Sequence, residues 1–270
     1  MPFSSNTPLR MYYEERGDGT PVLYISGTGA DLRVKPNVLD SPITQHLRVL
    51  TYDQRGLGQS DIPSGPYTMA QYADDAFELL QEKGWAKVHV IGVSFGGMVA
   101  LNLAVRHPQV IDRLVLCCTS PGGAAASYPL HSVATDLSDE ARVRFMLGIN
   151  DSRRDEAWQK ANPDKVQQAI DYTLAARKDL PSDAQSRLGA QRQLAARADH
   201  DVLALLSQIQ HTTLICAGLY DDIAPKSNQT LMADAMPQAE LAWFEGGHLF
   251  MIQDKTAWPT IIEFLTSTSA

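Results

Sequence analysis

A serine with a glycine two residues to either side, Gly92-Val93-Ser94-Phe95-Gly96, stands where an apolar run, VHVIGV, passes directly into a helix-forming one, GGMVALNLAVRH. A strand-to-helix turn that tight puts its central residue in a strained backbone conformation and leaves no space for side chains around it, which is the need the glycines meet. The hydroxyl of Ser94 would then project over the carboxyl edge of a sheet, where ligands bind in open α/β folds. A serine attacks a carbonyl only when a base removes its proton and a third group holds that base in the right tautomer. An acid and a histidine are therefore required downstream. Asp221 ends the run TTLICAGLY, with Asp222 beside it and Pro225 closing the loop; Asp221 comes first after the strand, while Asp222 suits a loop-capping role. His248 follows the last apolar run in LAWFEGGHLF. The order Ser94, Asp221, His248 is the one that accompanies this type of turn, and each residue falls on a loop after a strand at the same sheet edge.

The oxyanion that forms when a carbonyl becomes tetrahedral needs hydrogen-bond donors. One is expected from the backbone N–H of Phe95, left free at the start of a helix. The other is expected from the loop Ser26-Gly27-Thr28-Gly29 after the run PVLYI, and Thr28 N–H is assigned to it. The remaining six histidines fall inside predicted strands, at element ends or in the middle segment, where structural roles fit better.

These residues need a scaffold of parallel strands, and the chain supplies one. Leu9 to Ser26 reads as strand, Gly-Asp-Gly turn and strand, a hairpin entering a sheet; Arg48 to Asp53, Lys87 to Val93 and Asp112 to Cys118 read as further strands. Thr68 to Lys83 and Gly96 to His107 read as helices between them. Alternating strands and helices predict an α/β fold with a mostly parallel central sheet covered on both faces. The alternation stops over residues 122–200, where DEARVRFMLGI, PDKVQQAIDYTLAAR and AQSRLGAQRQLAARA read as helices, and resumes from Thr212 to Gly218, Lys226 to Ala235, Glu240 to Phe244 and Trp258 to Thr266. The expected organisation is therefore a core segment over 1–121, an inserted helical cap over 122–200 and a second core segment over 201–270.

Composition narrows the function. The chain has 270 residues, 44% apolar and 20% charged, as in an ordinary globular protein. A net charge of -8 without a basic stripe argues against nucleic acid. The acidic excess lies outside 122–200, where acidic and basic residues are equal in number. Cys117, Cys118 and Cys216 sit in apolar runs without metal-ligand spacing and read as reduced core thiols, which with the lack of a leader-like or membrane-spanning stretch points to the cytoplasm.

Together these residues resemble the α/β-hydrolase family, in its serine-nucleophile esterase and lactonase type. Asp53-Gln54-Arg55-Gly56-Leu57-Gly58-Gln59-Ser60 is similar to the family's D-x-R-G-x-G-x-S stretch, SFGGMVALNLAVRHP to its elbow helix, and GLYDDIAP and GGH to its acid and histidine loops. The resemblance covers both core segments, about two thirds of the chain, and the segment 122–200 carries no family motif. Ser26-Gly27 stands where many members have His-Gly, and Gln253-Asp254-Lys255 where many have Glu-x-Pro, a change expected to affect local packing only. The resemblance implies an enzyme that cleaves a small ester or lactone, like the enol-lactonases and carboxylesterases, with no cofactor. Carbon–carbon hydrolases of ring-cleavage products, proline iminopeptidases and a binding protein on the same fold are the alternatives. If the substrate carries a carboxylate, a desolvated arginine should meet it, with Arg33, Arg142, Arg144 and Arg192 as candidates. Phe145, Met146, Leu147 and Trp158 either line the pocket or pack the cap. The oligomeric state is not readable.

Overall fold

The computed structural model describes residues 2–5, 7–133 and 136–267. Among the described residues seven strands form one sheet: β1 (Tyr13–Arg16), β2 (Pro21–Ile25), β3 (Arg48–Tyr52), β4 (Val88–Val93), β5 (Ile111–Cys117), β6 (Thr212–Gly218) and β7 (Ala239–Phe244). Their order is β1-β3-β2-β4-β5-β6-β7, parallel except for β1. Consecutive residues of each central strand serve opposite faces. Leu23, Leu50, Val90, Leu114 and Leu116 join one core cluster, whereas Val22, Val49, Ile91 and Val115 join the other. Strands buried on both faces read as continuous apolar runs, and that is how VHVIGV and TTLICAG read.

The hairpin expected from β1 and β2 does not form. β3 lies between them, with Tyr13 opposite Tyr52 in antiparallel register and Pro21 opposite Arg48 in parallel. The Gly-Asp-Gly turn reverses the chain without fixing its neighbour. β2 feeds both core clusters and pairs on both sides, whereas β1 is only half buried and suits the sheet edge, with Glu15 paired to Arg48 of β3 and to Lys83.

Helices α1 (Met69–Glu82) and α2 (Phe95–Arg106) pack on one face. A capping box of Thr68 and Gln71 starts α1. Between β5 and β6 the described residues form helices and no strand: α3 (Asp139–Asn150), α4 (Glu156–Ala161), α5 (Pro163–Arg177) and α6 (Ala184–Ala198). The α4 turn is an addition to the expected helices, started by the Asp155 side chain on Trp158 N–H and stopped before Asn162-Pro163. Helix α3 buries none of its residues fully, and α6 buries a stripe of Gly189, Gln193, Ala196 and Arg197. The chain closes with α7 (Lys226–Ala235), α8 (Phe250–Gln253) and α9 (Ala257–Thr266), the last two packing on the second face. Among the described residues no helix is long and apolar enough to cross a membrane.

Candidate active site

Ser94 joins β4 to α2 with φ 56° and ψ -115°, a region that costs a non-glycine residue about 1–3 kcal/mol. The conformation is held on both sides: Ser94 N–H donates to Cys117 O at 2.8 Å, and Ser94 O accepts from the Thr119 hydroxyl at 2.7 Å. The flanking glycines are required by close packing, though against other groups than Ser94 itself. A Cβ on Gly96 would lie 2.0 Å from Ile25 O, and one on Gly92 would lie 2.5 Å from Gly96 O. This closeness brings the end of β2, and the loop after it, against the serine.

The structure brings the three sequence-selected side chains into one line. His248 Nε2 lies 2.9 Å from Ser94 Oγ, and His248 Nδ1 lies 2.8 Å from Asp221 Oδ2. Asp221 Oδ1 accepts the N–H groups of Ile223 and Ala224, which fixes the carboxylate so that its other oxygen faces the imidazole. Asp222 is exposed and takes no part; its N–H donates to Ile149 O of α3. Ser94 and Asp221 are 7% and 4% exposed, so the line runs through a largely dry interior where its hydrogen bonds gain strength. Cys118 lies behind it, with φ 41°, and burial together with the Asp221 charge pushes its thiol up. Cys118, Asp221 and His248 offer one ligand atom each within 4.8 Å of one another, but both Asp221 oxygens and both His248 nitrogens are already engaged. All three cysteines are free and buried.

Phe95 N–H, in the first turn of α2, and Thr28 N–H have no hydrogen-bond partner among the described residues. Gly27 packs against Ser94, an added Cβ there meeting Ser94 Cβ at 3.5 Å, so Thr28 follows directly on the residue in contact with the serine. The D-x-R-G-x-G-x-S stretch holds this loop in place. Gln54 Nε2 donates to Ser26 O at 2.8 Å, and Asp53 accepts from the N–H groups of Leu32 and Gln59. Burial pushes Asp53 up to about 6. Arg55 anchors the stretch to α1 by two bonds of 2.6 Å to the buried Asp75.

The helical segment leans on the same loops. His248 N–H donates to Asn150 O at the end of α3, and Gly189 of α6 sits on Gly56 O. The change after His248 does more than alter local packing: Gln253 Oε1 accepts Gly247 N–H and Asp254 accepts Glu245 N–H, tying the histidine loop from behind. Of the candidate arginines, Arg33 pairs with Asp31, Arg144 is exposed, and Arg192 donates to Pro63 O over the Tyr67 ring. Arg142 lies half-buried on α3. The arginine that reaches the loop beside Ser94 is Arg197, whose Nη1 lies 3.3 Å from Thr28 Oγ1. Its signal in the sequence is an arginine four residues after a glutamine on the small-residue stripe of α6, a face that packing alone would fill with apolar side chains. Phe145 meets Tyr128 at 5.9 Å between ring centroids, and Trp158 lies under Arg154 and Lys165. Met146 and Leu147 are half-buried.

A model of the alpha/beta hydrolase fold matches residues 20–255. The chain belongs to the alpha/beta hydrolase fold family. A protein of Yersinia enterocolitica provisionally named carbamate hydrolase RutD is 29% identical over 265 residues, spanning 93% of this chain and 90% of its own. The poly(3-hydroxyalkanoate) depolymerase of Ectopseudomonas oleovorans is 28% identical over 255 residues, spanning 91% and 84%. Among solved structures, the enol-lactonase of Burkholderia xenovorans LB400 superposes with a TM-score of 0.78 at 24% identity, covering 98% of this chain and 100% of its own, a likeness of fold.

Proposed function

We propose that the protein is a serine hydrolase that cleaves a carboxylic ester or lactone of a small molecule through an acyl-enzyme on Ser94. The reading is carried by the hydrogen-bonded line from Asp221 through His248 to a Ser94 hydroxyl held on a strained turn. In the first half, His248 Nε2 takes the Ser94 proton as Oγ bonds to the carbonyl carbon, and Asp221 stabilises the imidazolium. The N–H groups of Phe95 and Thr28 bind the oxyanion. His248 then gives its proton to the departing alkoxide oxygen, leaving the acyl group on Ser94. In the second half, His248 takes a proton from water, the hydroxide attacks the acyl carbon, and the acid leaves as the proton returns to Ser94 Oγ.

A largely apolar cleft of about 520 Å³ bordered by Tyr24, Val38, Val93, His248, Leu249 and Trp258 runs beside the histidine. The segment 122–200 acts as a cap over the site, and catalysis takes place in the cytoplasm. The polyester-cleaving relative favours ester chemistry, and a carbamate carbonyl would be attacked by the same serine.

A fluorophosphonate probe tests the reading, because it phosphonylates only an activated serine. Peptide mass analysis is expected to find the adduct on Ser94 and to find none in Ser94→Ala or His248→Ala. Labelling at another residue, or no labelling of the wild type, would overturn it.

A further inference from the structure

Arg197 is 5% exposed, yet among the described residues it has no carboxylate within 4 Å. Its hydrogen bonds go to neutral oxygens alone: Thr28 Oγ1 at 3.3 Å, Ser127 Oγ at 2.7 Å and Tyr128 O at 3.4 Å. A guanidinium carries five N–H donors, so these contacts leave donors uncommitted. Burial pulls its pKa down to about 10, and it remains a cation at neutral pH. A buried cation without a directly bonded carboxylate is costly to hold. The Asp221 charge supports the cation through space, but it makes no hydrogen bond to Arg197, since both of its oxygens are taken by Ile223, Ala224 and His248.

One turn earlier on the same face of α6, Gln193 is fully buried and repeats the pattern. Its Oε1 accepts Gly29 N–H at 2.8 Å, which fixes the amide's orientation, and its Nε2 is buried with no partner among the described residues. Two side chains at positions i and i+4 therefore grip adjacent residues of the loop beside Ser94, and each holds back N–H donors. Donors left unmade in a dry site are expensive unless a ligand completes them.

We propose that Arg197 and Gln193 form a subsite for a carboxylate that the substrate carries in addition to the bond being cleaved, so that the enzyme's ester or lactone is anionic. The inference rests on the serine-hydrolase reading for the position of the reacting carbonyl. Thr28 joins the two halves: its N–H is assigned to the oxyanion and its hydroxyl meets Arg197, which puts the carboxylate only a few bonds from the carbonyl. The half-esters of short dicarboxylic acids, and lactones that bear a free carboxylate, have that form. Arg197 acts here as a fixed, planar carboxylate partner, a role a lysine fills only in part.

Calorimetric titration with glutarate, a five-carbon dicarboxylate, and with butyrate, which lacks the second carboxylate, tests this without any bond being cleaved. The wild-type protein is expected to bind glutarate at least tenfold more tightly than butyrate, Arg197→Met to lose that preference, and Arg197→Lys to keep part of it. Gln193→Leu should weaken glutarate by a smaller factor. Equal binding of the two acids by the wild type, no binding of glutarate, or an unchanged preference in Arg197→Met would each overturn the inference; equal Arg197-dependent binding would assign the contact to the product carboxylate. Circular dichroism of each variant guards against misfolding, and Arg197→Lys keeps the test open if Arg197→Met does not fold. Failure of this test leaves the fluorophosphonate result untouched, and failure of that labelling leaves the titration readable.

Discussion

The backbone N–H of His248 donates to the carbonyl of Asn150 at 2.6 Å, so the last turn of α3 holds the histidine that faces Ser94. Gly247 makes the approach possible: a Cβ there would lie 1.9 Å from Asn150 O. The end of α3 thus helps to place the imidazole, and the two positions are mechanically joined.

Gly247→Ala must open that contact, and displacing a reacting group by even 1 Å can cost on the order of 100-fold in rate. A fall in kcat/KM of at least tenfold, on the order of that cost or below, is expected on an aryl ester. The companion change Gly148→Ala, on the same helix with no atom nearer than 3.7 Å to the new Cβ, should leave activity intact and stabilise the fold by about 0.5–1 kcal/mol. Steady-state kinetics and thermal unfolding of both variants check the pair. An unimpaired Gly247→Ala would separate the helix from the histidine's placement.

The two adjacent aspartates should differ sharply. In Asp221→Asn the amide oxygen must stay with the Ile223 and Ala224 N–H groups, so its NH₂ faces His248 Nδ1 and forces the ring proton onto the nitrogen beside Ser94. The base is then in the wrong tautomer, and kcat should fall on the order of 10⁴-fold. Asp222→Asn, at an exposed side chain, should stay within a few-fold of wild type. Comparable losses in the two would refute the assignment of the acid.

Acid should destabilise the protein through His200. Its Nε2 donates to Ser120 O at 3.1 Å and its Nδ1 accepts from Asn102 at 3.3 Å, the neutral form, and burial pulls its pKa down to about 4. The folded value lies below the unfolded one, so the contribution is complete above about 6.5 and is lost as pH falls through about 4, up to about 3 kcal/mol. Asp53 works in the opposite sense: its raised folded value makes its contribution present below about 4 and lost as pH rises through about 6. Urea midpoints measured from pH 7 to 4 should fall less in His200→Gln than in wild type. Parallel curves would remove His200 from the account.

Much of this site could be read in the chain because its parts are local. The glycines around Ser94 answer to packing within a few ångströms, and Asp221 and His248 each lie in the loop a few residues after a strand. The three long helices between β5 and β6 follow from capping residues and periodicity, with Ser138 and Asp183 as N-caps. What escaped was set by contacts distant in sequence. The place of β3 between β1 and β2 depends on which strand must pair on both sides, and nothing in a Gly-Asp-Gly turn encodes that. Arg197 and Gln193 gain their meaning only when α6 lies across the loop at Thr28 and Gly29, more than 160 residues away in the chain.

The proposed mechanism requires Ser94 as the nucleophile. Hydrolysis of a short-chain aryl ester and of a panel of lactones by wild type and by Ser94→Ala, both confirmed folded by circular dichroism, measures that claim. Wild-type turnover that falls roughly a thousandfold or more in Ser94→Ala is the predicted result. Equal rates in the two proteins would contradict it.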